Sequence, residues 1–217
     1  MPPAVMERDL AVLSHLFHVE HLWLTGGEPL LHPQLTEMAR IARASGVGDK
    51  VCVQSNGRLI DRADDSFMQH VDLFAISVYP TLEPHLVEVA RQKCVRHGIQ
   101  LGGRPFSTFL KVFHNDPDAR SFYGCTVKRI VFTANLGWFF RCPQSALFPG
   151  RFMGLEPSAD GISIDDHLSE QSLAGFIENE SCPLKTCAIC DPQREEVEWH
   201  ECATLAEWIK DSTLQTA

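Results

Sequence analysis

Short apolar runs alternate with helix-length amphipathic segments over roughly the first 105 residues, and few folds accept that alternation. Val19–Leu24, Val51–Gln54, Leu73–Val78 and Ile99–Leu101 read as strands, the third a continuous apolar run stopped by Tyr79-Pro80. Met6–His18 carries Leu10, Val12, Leu13, Leu16 and Phe17 on an approximate helical stripe. Pro33–Ser45 does the same with Leu35, Met38, Ile41 and Ala42 and ends near Gly46, Asp61–His70 reads as a helix, and Pro84–His97 closes at Gly98. Strands separated by helices pair in parallel through right-handed crossovers, so an α/β fold with helices along one face of a curved sheet is expected. Four strands are too few for a closed eight-fold barrel.

One junction in this pattern is richer than a turn needs. Thr25-Gly26-Gly27-Glu28-Pro29-Leu30-Leu31-His32-Pro33 follows the first strand. Adjacent glycines let backbone approach a ligand closely, because no Cβ intervenes. Ligands of α/β folds bind at strand carboxyl ends. Glu28 adds a carboxylate or carbonyl partner for a cation, and Pro29 ends the strand. A lip for a small polar ligand is expected there.

Leu-Thr-Gly-Gly-Glu-Pro-Leu-Leu-His-Pro, followed one helix later by Gln54-Ser55-Asn56-Gly57, resembles the radical S-adenosylmethionine (radical SAM) superfamily over residues 6–105. The resemblance implies an open partial (β/α) barrel of which this chain carries the middle. It implies that Gly26, Gly27 and Glu28 hold the methionyl amino group of SAM and that Ser55 and Asn56 close the next strand beside it. Ser77 corresponds to a polar position near the SAM ribose, or only helps form a turn. Arg104 would pair with the SAM carboxylate or an anionic substrate group, as guanidinium favours bidentate carboxylate contacts, or is a solvated side chain. Gly102 and Gly103 would let backbone approach the adenine.

The second half changes character. Residues 105–124 lack periodicity, while Lys128–Thr133 and Trp138–Arg141, separated by Ala134-Asn135-Leu136-Gly137, read as a β-hairpin. Segments 168–178 and 199–210 read as helices, and Glu195-Glu196-Val197-Glu198 as a solvated acidic first turn of the latter. Six of the eight cysteines lie here; Cys52 and Cys94, in a strand and a helix, read as buried small hydrophobes. Cys125 and Cys142 flank the hairpin, and Cys187 and Cys190 form a Cys-x2-Cys pair, a set that suits iron–sulfur or zinc. The spacing, with Arg141-Cys142-Pro143 after the hairpin, resembles the Twitch auxiliary-cluster module of some radical SAM enzymes. That resemblance assigns Cys125, Cys142, Cys187 and Cys190 to an auxiliary [4Fe–4S] cluster; Cys182 competes, since Cys182-x4-Cys187-x2-Cys190 is itself a ligand-like run, and Cys202 reads as core of the last helix. A partial barrel over 1–105 and a small cysteine-rich β-hairpin/helix domain over 106–217 are therefore expected.

No cysteine precedes Cys52, so the Cys-x3-Cys-x2-Cys loop that binds the catalytic cluster of that superfamily is missing. The intact downstream motifs favour truncation of a longer frame over a degenerate relative. Alone, this polypeptide is expected not to generate the 5′-deoxyadenosyl radical. In the intact parent the resemblance implies reductive SAM cleavage and hydrogen-atom abstraction from a carbohydrate or a peptide. The auxiliary cluster would accept or relay an electron, as in alcohol-oxidising aminocyclitol dehydrogenases, with flavodoxin or ferredoxin as reductant. The net charge of −9 argues against nucleic acid, and no apolar run is long enough for a bilayer, so a cytoplasmic protein is expected. His15, His18, His21 and His32 have no paired ligand spacing and read as surface or packing residues. A different class also accommodates the residues: a non-catalytic binding protein whose C-terminal module is stabilised by zinc.

Overall fold

Val51, Cys52, Val53, Phe74, Ala75 and Ile76, all buried, form the centre of a four-stranded parallel sheet in the computed structural model of the protein. The structure describes residues 1–110, 121–125, 127, 130–179, 183–190 and 196–200. It divides into two compact units, Met1–Ser107 and Thr108–Ala217.

The first unit runs α1 (Pro3–Leu13), β1 (Val19–Leu24), α2 (Leu35–Ser45), β2 (Gly48–Ser55), β3 (Leu73–Val78), α3 (Pro84–His97) and β4 (Gln100–Pro105), with strand order β1-β2-β3-β4. Short 3-10 turns at Pro29–Leu31 and Ser66–His70 complete it. Proline at the first turn starts α1 and α3 without losing a needed donor. Left-handed Gly46 and Gly98, at φ 66° and 68°, end α2 and α3. Below the sheet, Asp72 accepts from Val51 N at 2.8 Å and from Arg43 Nη2 at 2.5 Å, tying α2 to two strands.

The helix expected over 61–70 is instead a turn followed by the 3-10 segment Ser66–His70. Asp64 accepts from both Ser66 N (3.0 Å) and Ser66 Oγ (2.6 Å), a local bond that competes with helix propagation. Strand β2 begins three residues before the apolar run, since Val19 pairs with Gly48 and His21 with Lys50. The described elements form an α/β sheet with helices, and the parallel order is the one expected of a partial β/α fold.

In the second unit β5 (Thr108–Leu110) pairs antiparallel with β9 (Glu196–Glu198). The single-turn helix α4 (Ser121–Gly124) is followed by β6 (Thr133–Asn135), β7 (Trp138–Phe140), α5 (Pro143–Phe152), β8 (Gly161–Ser163) and α6 (Glu170–Glu178). Strands β6, β7 and β8 make a three-stranded antiparallel sheet. The hairpin loop is two residues, Leu136 and Gly137, both at positive φ (49° and 85°), which matches the twist of the flanking strands. Phe122, Phe139, Phe140, Ile164 and Leu173 are buried around it. Helix α5 has no counterpart in the sequence reading, because Pro149 and Gly150 mask its pattern. Glu196 and Glu198 lie on strand β9 rather than in a helical turn. Trp199 and His200 are not helical, and 201–210 lies outside the described residues. Among the described residues no helix is long and apolar enough to cross a membrane.

Candidate functional site

A parallel sheet delivers every strand's carboxyl end to one edge, so the loops after Leu24, Ser55, Val78 and Pro105 share it. The lip lies in the first of these loops. Gly26 and Gly27 take φ of 107° and 54°, and a Cβ added at either would meet nothing within 4 Å. Their backbone faces open space, so the glycines serve conformation and access rather than packing.

Glu28 joins this loop to the next strand. Its Oε1 accepts from Leu30 N (3.0 Å) and Ser55 Oγ (2.7 Å), and its Oε2 accepts from Asn56 N (2.7 Å). The buried Ser55 hydroxyl accepts in turn from Gly57 N at 2.9 Å. A carboxylate offers about four lone-pair sites, and three are occupied by protein donors here. The side chain thus fastens Gly26-Gly27 to Ser55-Asn56, and little of it is left for a cation. Asn56 Oδ1 accepts from Arg58 N at 2.9 Å, leaving its amide nitrogen at the edge.

Ser77 is buried at the end of β3 and accepts from Gln54 Nε2 at 3.0 Å. In parallel register residues at one level share a face, and Ser77 is paired with Arg104. Arg104 is exposed, stacks 4.6 Å over the Phe106 ring and forms no ion pair with a described residue. The structure therefore gathers Gly26, Gly27, Glu28, Ser55, Asn56, Ser77 and Arg104 along one sheet edge and adds Gln54, a polar residue near the end of an otherwise buried strand. Gly102 and Gly103 serve packing: a Cβ would lie 2.9 Å from Leu73 Cδ1 and 2.3 Å from Ile76 O respectively. His18 spans Gly46 O and Asp49 (3.1 and 2.8 Å), and His32 bonds Met1 O, so both hold loops.

Cys52 and Cys94 are buried, and burial pushes both thiols up to about 11. Cys125, Cys142, Cys187 and Cys190 are half-buried; Cys182 and Cys202 lie outside the described residues. Cys125 follows α4, Cys142 caps the start of α5, and Cys187 sits in the 3-10 turn Lys185–Ile189, which Cys190 ends. Both α4 and α5 pack on that turn. Burial raises Cys142, opposed by donors from Ser145 and reinforced by charge on Cys125. Cys187 is raised to about 11, first by burial and further by charge on Cys142, Asp160 and Cys125. These thiols thus feel one another. Among the described residues, however, no three His, Cys, Asp or Glu are grouped as one metal ion requires. Buried Asp160, absent from the sequence reading, lies in the same unit, as does Arg141, which the sequence reading used only as part of the Arg141-Cys142-Pro143 segment. The Arg141 guanidinium sits 5.8 Å from the Phe122 ring centre and 5.3 Å from that of Phe176, and Nη1 donates to Asn179 O.

Fold and site together define an α/β unit with a polar lip at the carboxyl edge of a parallel sheet. A stretch of 51 residues is 47% identical to GTP 3′,8-cyclase of Chlorobaculum tepidum, covering 24% of this chain and 16% of that protein. That partial likeness supports a relation to the radical SAM superfamily. The matched part of that relative is well under two thirds of its length. No family model matches the chain.

Proposed function

We propose that this chain is part of a radical SAM enzyme: a partial barrel that holds SAM, joined to a Twitch-type module that holds an auxiliary [4Fe–4S] cluster. The observation that carries the reading is the Glu28 carboxylate, which fixes Gly26-Gly27 beside Ser55-Asn56 with open space over both glycines. A loop held this way presents backbone to the amino-acid end of SAM, and Ser77, Gln54 and Arg104 stand ready for its sugar or carboxylate. The likeness to a GTP 3′,8-cyclase supports the same superfamily. By its name that relative closes a ring at a ribose carbon, which favours a sugar-bearing substrate over a peptide.

In the second unit Cys125, Cys142, Cys187 and Cys190 would hold the auxiliary cluster. Four half-buried thiols in one unit, borne by segments of which α4 and α5 both pack on the Lys185–Ile189 turn, supply the sulfur donors such a cluster takes, and binding it would have to draw them closer than they stand. When bound, such a cluster supplies a one-electron acceptor or relay. The chain's own residues partly shield the thiols and orient the segments that bear them. Residues 1–51 contain no cysteine, so this polypeptide by itself does not cleave SAM.

Anaerobic reconstitution with iron and sulfide tests the reading. Brown protein with about four iron per chain, reduced by Cys142→Ala, is the expected result. Colourless protein with one tightly held zinc would support the binding-protein reading instead. Catalytic 5′-deoxyadenosine from reduced protein and SAM would overturn the statement that the chain alone is inactive.

A further inference from the structure

We propose that Asp160 is the positioning residue of the Cys187-x2-Cys190 turn, tethering it to the end of the sheet that bears Cys142. Asp160 is 3% exposed, and the donors to its carboxylate lie far along the chain. One carboxylate oxygen accepts from Lys185 N at 2.5 Å. The other accepts from Thr186 N at 2.8 Å and from Thr186 Oγ1 at 2.5 Å. All three donors belong to the first two residues of the turn Lys185–Ile189, one and two positions before Cys187. The N–H groups at the start of a 3-10 or helical turn have no partner within it, and a carboxylate satisfies them best.

The carboxylate is itself held in place. The β7–β8 ladder pairs Phe140 with Gly161, so Asp160 and Arg141-Cys142 leave the sheet at the same end. At Gly161 a Cβ would lie 2.7 Å from a Phe140 ring carbon and 3.1 Å from Pro157 O, so the backbone there has little freedom to move. Asp160 therefore relates the segment of Cys142 to the segment of Cys187 and Cys190 across 25 residues of sequence, using three charge-assisted bonds. Two cluster ligands two residues apart need their turn preset, because an unfixed turn must be ordered as the ligands bind.

The inference rests on the proposed cluster reading for what the turn is for, but its geometry is testable without any cluster. In the full apo chain under reductant, per-cysteine alkylation rates at pH 8 are read by mass spectrometry for wild type, Asp160→Ala, Asp160→Asn and Thr186→Val. Loss of the tether should raise the rates of Cys187 and Cys190 about tenfold, with Cys125 and Cys142 within about twofold of wild type and Cys52 and Cys94 still protected. Thr186→Val keeps the carboxylate charge, so a rise there, though smaller, reports position and not electrostatics. Unchanged Cys187 and Cys190 rates in all three variants overturn the proposal. Should Asp160→Ala expose every cysteine, Asp160→Asn and Thr186→Val decide it: a selective rise supports the tether, and equal rates for all thiols overturn it. Iron content of the reconstituted wild type reports separately on the cluster reading, and a wild type without iron sinks that reading alone.

Discussion

In residues 1–107 the candidate groups meet because four parallel strands end at one edge, whereas in 108–217 they sit on separate segments that buried side chains tie to one another. The first arrangement comes almost free with the topology, and Glu28 only has to fasten neighbouring loops. In the second, Arg141 and Asp160 reach 38 and 25 residues along the chain to do a comparable task. Backbone geometry organises one candidate site, and buried charge organises the segments of the other. Substitutions should therefore hurt the two units through different residue types.

The largest effect is expected at Gly103. An alanine Cβ would sit 2.3 Å from Ile76 O at φ +138°, so Gly103→Ala should cost about 3–5 kcal/mol and disturb β3–β4 pairing. A urea-denaturation midpoint close to wild type would break the claim that backbone fit dominates the first unit. Next comes Glu28→Ala, which strips three protein donors of their acceptor and should cost about 3 kcal/mol. Glu28→Gln should cost about half as much, since one oxygen still accepts while its amide faces a donor. Hydrogen exchange at the Asn56 amide checks both, and retained protection in Glu28→Ala would sink the clamp. In the second unit Arg141→Met keeps apolar length but loses both ring contacts and the bond to Asn179 O, for about 2 kcal/mol of stability. Arg141→Lys should fare no better, because a planar guanidinium is what fits between rings; full stability of the lysine variant would show that charge alone suffices. The smallest loss is expected at Gly26, where an alanine meets no atom within 4 Å and only the positive φ is unfavourable, about 1 kcal/mol. If Gly26→Ala destabilises as much as Gly103→Ala, the lip is a structural turn and its reading as a ligand surface loses its main support.

Much of the first unit was legible because each level of its sequence agrees with the others. Strands Val19–Leu24 and Leu73–Val78 and helix Pro84–His97 have the bounds that apolar runs, proline starts and glycine stops set. Asp61–His70 misled because its aspartates and Ser66 bond locally, which a periodicity count does not see. Gly102-Gly103 misled differently: a glycine pair after a strand reads as an open approach, and only the neighbouring strand reveals that Leu73 and Ile76 fill the space. In the second unit the cysteine spacing was visible, while Asp160, α5 and the burial of Arg141 between aromatic rings were not. Nothing near Asp160 in sequence indicates that its partners are Lys185 and Thr186.

The Glu28 clamp has a further consequence for recognition. A receptor whose donors and acceptors are already matched before its guest arrives loses little disorder on binding. The amides of Leu30, Asn56 and Gly57 all have acceptors in the unliganded chain. On the proposed reading, entropy that a floppy glycine loop would surrender on capture has been surrendered during folding, so discrimination at this lip would depend on shape rather than on induced order.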